Sequence, residues 1–224
     1  MRRSLLTCLV LAPALILAGC GGGDKGPATT TASPPSPAVA LRTLVAAAHA
    51  GDVARVRALL TPSTPRAAAA ELVEGLGSFP PQTRVVLAEQ IDETWAVAAL
   101  AGPRRAEGAK EYGTFVVPLK LVDGRWRAHL DPGTIEIRPL GPRQGSVQGR
   151  TPTQVAAEFS ALVAIEDAGL WLDGAALAAK SAGSAVKYTA YGATPPLRRG
   201  FHTVVAFAET GGTAAATAWS FRVR

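Results

Sequence analysis

The sequence predicts an α+β unit followed by an all-β sandwich, and three observations carry that prediction. Between residues 41 and 76 the apolar positions recur at helical spacing. From residue 85 the period changes to two. Beyond Thr134 only short alternating runs remain, separated by turn dipeptides, which is the pattern of a β-sandwich. The chain has 224 residues, 48% hydrophobic and 18% charged. That is enough apolar material for two ordinary domains, and it excludes wholesale disorder.

The helices come first. Leu41, Leu44, Val45 and Ala48 form one stripe. Gly51 breaks that helix and Asp52 caps the next, which carries Val53, Val56, Leu59 and Leu60 until Thr61-Pro62 stops it. Thr64-Pro65 reads as the start of a third helix with Leu72, Val73 and Leu76, closed by Gly77. Strands follow: Val85 and Leu87, then Trp95, Val97 and Ala99 after an Asp92-Glu93 turn. Phe115, Val117, Leu119 and Leu121 form a third, and Asp123-Gly124 turns into Trp126, Ala128 and Leu130. Helices should cover one face of this meander and leave the other hydrated, with Arg125, Arg127 and His129 on the wet side.

The second unit places strands at Ile135 and Ile137, at Val155, Ala157 and Phe159, at Leu170 and Leu172, and at Val186, Tyr188 and Ala190. Two more carry Val204, Ala206 and Ala208, then Trp219, Phe221 and Val223. Asp173-Gly174 and Gly211-Gly212 are the hairpin turns. Pro and Gly cluster between Asp131 and Arg150, which sets a domain boundary at 132/133.

At the other end of the chain, Arg2 and Arg3 precede an apolar run from Leu5 to Leu17, too short to span about 30 Å of hydrocarbon as a helix. Leu17-Ala18-Gly19-Cys20 follows it and resembles the lipobox of bacterial lipoprotein signal peptides. The resemblance implies cleavage after residue 19, with lipid such as palmitate on Cys20, and an outer-face location on the plasma membrane (or a periplasmic membrane face where an outer membrane exists). Cys8 would be removed, which leaves no thiol for a disulfide, a zinc site or thiol catalysis. Residues 20–37, rich in Gly, Thr, Ser and Pro, read as a tether.

Residues 38–132 resemble the NTF2-like, cone-shaped fold through the Ala-rich opening helix, the Ala50-Gly51-Asp52 break and the hairpin at Asp123, Gly124, Arg125 and Trp126. Residues 133–224 resemble bacterial immunoglobulin-like repeats through Thr151–Ser160, Leu170–Gly174, Pro196–Gly212 and Ala218–Val223. These resemblances imply helices on a curved antiparallel sheet and then an Ig-like sandwich. The first also implies that a cone could hold a pocket.

Catalytic chemistry has little to start from. The three histidines, His49, His129 and His202, are far apart in sequence, and no paired-histidine metal spacing, serine elbow or phosphate loop occurs. His49 at a helix end suits the C-terminal dipole, and His202 reads as structural. His129 with a carboxylate from Glu71, Glu74, Glu89 or Glu111 is the one acid–base combination to test. No metal or cofactor is expected. The formal charge of +6, which falls to +4 once Arg2 and Arg3 are removed, is spread in loop pairs such as Arg104-Arg105 and Arg198-Arg199. That is too sparse for nucleic acid. The expected partners are the membrane, through Cys20, and an envelope protein or anionic wall polymer. The expected function is a non-catalytic binding or scaffolding module, the alternative a small-molecule binder or enzyme using a cone cavity.

Overall fold

The structure, a computed structural model, describes residues 35–106, 109–130 and 133–224. Three helices open it: α1 (Pro37–His49), α2 (Val53–Ala58) and α3 (Ala68–Gly77). Ser36 caps α1 through Val39 N, and Asp52 caps α2 by accepting from Arg55 N at 2.8 Å. The third helix starts later than Thr64-Pro65 suggests. The Thr64 hydroxyl bonds to Thr61 and accepts from Leu130 N, so it is not available as a cap, and α3 begins at Ala68 with no side-chain cap.

Four strands follow, β1 (Arg84–Gln90), β2 (Trp95–Ala106), β3 (Ala109–Val122) and β4 (Arg125–Ala128), in an antiparallel meander of order β1-β2-β3-β4. Asp123 and Gly124 take positive φ, 52° and 70°, as the tight β3–β4 turn requires. Leu41, Leu44, Leu72 and Leu76 from the helices pack on Ala96, Ala98, Leu100, Val117, Leu119 and Trp126, the first core. Val85 and Leu87 share a parity yet lie on opposite faces, because a register shift between them rotates the strand.

The remaining strands are β5 (Ile135–Gly141), β6 (Val147–Gln148), β7 (Gln154–Ala161), β8 (Asp167–Leu172), β9 (Ala175–Ala176), β10 (Ala179–Ser184), β11 (Lys187–Ala193), β12 (Gly200–Glu209) and β13 (Ala214–Val223). They form two sheets, β10-β11-β7-β5 and β6-β13-β12-β8-β9, antiparallel except for β6 beside β13. Val155, Ala157 and Phe159 face Leu170, Leu172, Val204, Trp219 and Phe221 across a second core. This is a β-sandwich, as the alternation predicts. Val186 is the exception: it sits in the β10–β11 turn, 41% exposed, outside the strand expected to hold it.

A third core joins the two parts. Leu87, Trp95, Val97 and Ala99, on the meander face away from the helices, pack against Trp171, Val205, Phe207 and Ala214 on the outer face of the sandwich. The face expected to be hydrated is therefore buried, and the order of layers is helices, meander, sandwich sheet, sandwich sheet. Gly174 marks how tight the junction is: it has φ 88°, and a Cβ there would strike the carbonyl oxygen of Val86 on β1.

Two predictions follow from this packing. Trp219 is 1% exposed, and its indole N–H has no hydrogen-bond partner among the described residues. Trp219→Ala should cost about 3–5 kcal/mol in denaturant unfolding. Trp219→Phe should cost far less, because it removes an unpaired donor along with the volume. Phe207→Ala should also cost about 3–5 kcal/mol, and amide exchange should accelerate in β2 and β12 together. Exchange that rises in β12 alone would mean that the parts on either side of residue 132 hold their stability separately.

Candidate functional site

Chemistry-bearing side chains gather at four places in this stack. The first is the junction around His129, which follows the last residue of β4. Strand parity ends at Ala128, and the ring turns into the third core instead of lying beside Arg125 and Arg127 on an open face. It is 4% exposed and meets the Trp95 indole edge-on at 5.1 Å. Among its partners, the Thr61 hydroxyl lies 3.2 Å from Nδ1 and the Thr213 hydroxyl 2.8 Å from Nε2. A hydroxyl can donate or accept, so these two contacts suit either neutral tautomer. Arg127 turns the other way and donates to the Ala58 carbonyl. The four carboxylates considered for His129 lie elsewhere. Glu71 and Glu74 are exposed on α3, Glu89 accepts from Trp171 Nε1 at 2.8 Å, and Glu111 pairs with Arg104.

The second place is a catch at the start of β12. His202 is 7% exposed, with Nδ1 2.7 Å from Asp173 Oδ2 and Nε2 2.7 Å from the Arg198 carbonyl. Asp173 also accepts from Thr203 N through Oδ1. Asp173 itself holds a positive φ of 54°, so one carboxylate ties the β8–β9 turn to β12. The structural role read for His202 in the sequence matches this geometry.

The third is acidic. Glu209 ends β12 beside Asp167, with Glu166 and Asp92 near it. Its pKa is raised above the ordinary 4.5 by burial first and by the charges of Asp92, Glu166 and Asp167. A hydrogen bond from Gly211 N opposes the shift. Among the described residues no group of three or more His, Cys, Asp or Glu side chains could hold a metal ion.

The fourth is an open groove of about 530 Å³ where α1, α3 and β2 end. Phe79, Pro80 and Pro103 give it an apolar floor, and His49, Arg104 and Arg105 stand at its margin. Arg104 lies over the Phe79 ring, 5.7 Å from its centroid, and donates through Nε to Glu111. Among the described residues the side chains of His49 and Arg105 have no hydrogen bond or ion pair, although the Arg105 N–H binds the Ser78 carbonyl. Sequence reasoning misses this groove because its three segments lie far apart in the chain and each is locally ordinary. Leu17, Ala18, Gly19 and Cys20 fall outside the described residues.

No protein-family model and no curated protein matches the chain. Three solved structures illustrate its resemblances. CopC from Methylosinus trichosporium OB3b is 15% identical over 39% of this chain and 93% of its own, with a TM-score of 0.30. The endo-beta-1,4-mannanase from Thermotoga petrophila is 11% identical, covering 42% of this chain and 20% of its own, TM-score 0.33. The titin Ig tandem domains A164-A165 are 7% identical over 64% of this chain and 95% of theirs, TM-score 0.29. The β-sandwich assignment rests on the strand topology itself.

Glu209 sets a pH dependence with a definite sign. Its folded pKa lies above the unfolded one, so in the window between them the folded chain holds a proton that the unfolded chain has released. Stability therefore falls as pH rises through that window, and stays level above it. Glu209→Gln should remove this fall, which urea midpoints measured from acid to neutral pH will register. His202→Ala should lower stability by about 1–3 kcal/mol, since it removes the buried ring that ties Asp173 Oδ2 to the Arg198 carbonyl.

Proposed function

We propose that the chain is a membrane-anchored extracytoplasmic lipoprotein, acting as a non-catalytic binding or scaffolding module of the cell envelope. Its first part is an NTF2-like layer and its second an Ig-like sandwich. One observation carries the reading: both faces of the meander are occupied by packing. Ala96, Ala98, Leu100, Val117, Leu119 and Trp126 fill the side under the helices, where an NTF2-like cone would keep its chamber. Trp95, Val97 and Ala99 fill the side against the sandwich. Side chains able to meet a partner are left to the surface, at the groove and on the loops. The anchor assignment draws on Leu17-Ala18-Gly19-Cys20 after the apolar run.

The second reading, a small-molecule binder, has one observation in its favour, the groove beside Phe79 and Arg105. Its ligand would lie in an open surface cleft, not in a cone.

Cys20→Ser tests the anchor. In cells the variant should leave the membrane fraction or accumulate as unprocessed precursor, because two or more acyl chains are what give stable anchoring. A variant that stays in the membrane fraction at the mass of the wild-type mature protein would overturn the assignment.

A further inference from the structure

The described surface carries one prominent apolar projection as well as the groove. Leu162 is 87% exposed and Val163 58%, both on the loop between β7 and β8. Val186, 41% exposed, stands in the neighbouring β10–β11 turn. The loop is pinned there: Ala161 N donates to the Val186 carbonyl and Ile165 N to the Ala185 carbonyl, both at 2.9 Å. Backbone bonds thus hold two adjacent aliphatic side chains out in water. Covering them would recover the free energy that their exposure costs. Glu166 and Asp167, both exposed, follow after Ala164 and Ile165, so the projection is an apolar tip with an acidic base.

The groove has the opposite character, an apolar floor with a basic margin. Projection and groove also lie at opposite ends of the molecule. Tyr112 pairs with Pro103 at the groove and stacks on Phe201, 4.3 Å between centroids, at the start of β12. The projection adjoins the end of β12, where Glu166 N donates to the Glu209 carbonyl. The eight steps of β12 between Phe201 and Glu209 span about 26 Å at strand rise. A chain therefore cannot fill its own groove with its own projection, whereas a second copy can.

We propose that the groove receives the Leu162–Val163 loop of a second copy of this chain, with Glu166 and Asp167 meeting Arg105 and His49. The contact is heterologous, so copies associate head to tail and the arrangement need not close. Two side chains bury far less than the ~1,000 Å² of a durable interface, so each contact is weak and exchangeable. Confinement of many copies to one membrane face would raise their effective concentration and make such contacts count. The pairing itself goes beyond the anchor assignment and does not depend on it.

The test uses residues 20–224 with Cys20→Ser, which contain the whole compact unit and no thiol. In sedimentation velocity the average coefficient should rise with concentration without levelling at a dimer. Leu162→Asp should weaken association at least about tenfold, as loss of an anchor side chain does. Arg105→Glu should weaken it as well, and mixing that variant with Glu166→Lys should restore it. Under mild oxidation Val163→Cys and Ser78→Cys copies should crosslink to each other faster than either does to itself. A coefficient independent of concentration would overturn the proposal, as would association that Leu162→Asp leaves unchanged. Preferred Val163→Cys self-crosslinking would replace the head-to-tail contact with a symmetric one and overturn it equally.

Discussion

Burial of two strands on both faces is the constraint on which the rest of the structure depends. From Trp95 to Gly102 every residue of β2 is buried, and so is β12 from His202 to Glu209. A strand buried on both sides needs a layer above and a layer below. β2 has helices on one side and sandwich on the other; β12 has meander on one side and the second sandwich sheet on the other. Small side chains make the junction possible. Ala96, Ala98 and Ala99 let layers approach closely, while Trp95, Trp171 and Phe207 fill what the alanines leave. Polar groups at the junction hold its register: Thr114 donates to the Ala218 carbonyl at 3.0 Å, and Trp171 donates to Glu89.

Much of this was legible in the residues. The helical stripes, the change of period and the turns at Asp123-Gly124 and Asp173-Gly174 each follow from local chemistry and each occurs, although α2 ends at Ala58, before Leu59 and Leu60, and α3 starts only at Ala68. The parity of Val155, Ala157 and Phe159, and of Trp219, Phe221 and Val223, identifies the sandwich core correctly. What alternation hides is the second buried face. Choosing Val204, Ala206 and Ala208 for one core leaves Val205 and Phe207 unassigned, although the unbroken apolar run Val204–Ala208 is the mark of a strand covered on both sides. The same holds for Trp95–Ala101. His129 was misplaced for a related reason. Its parity partners Arg125 and Arg127 suggested a wet face, but the strand ends before it and the ring swings under Trp95.

The site was less legible than the fold. The groove takes residues from the end of α1, the turn between α3 and β1, and the end of β2, spread over more than fifty positions with no spacing rule to connect them. The projection fails differently. The alternation leaves Leu162, Val163 and Ile165 unassigned between two strands, and only the backbone bonds to Ala185 and Val186 show where the chain turns out of the sheet. Exposure, not composition, distinguishes these residues from the core.

The distribution of polar groups argues for recognition at the ends of the molecule. Inside, His129 and Trp171 bond to groups that fix one layer against another, and His202 is held by Asp173 and a backbone carbonyl. A side chain held in this way contributes to the stability of the stack, and moving it would disturb packing across layers. At one end Arg105 has no ion pair among the described residues, and at the other Leu162 and Val163 stand uncovered beside Glu166 and Asp167. A compact body with unlike ends about 26 Å apart has a direction. Like copies can align along it, because the basic end of one and the acidic end of the next attract, whereas two like ends repel.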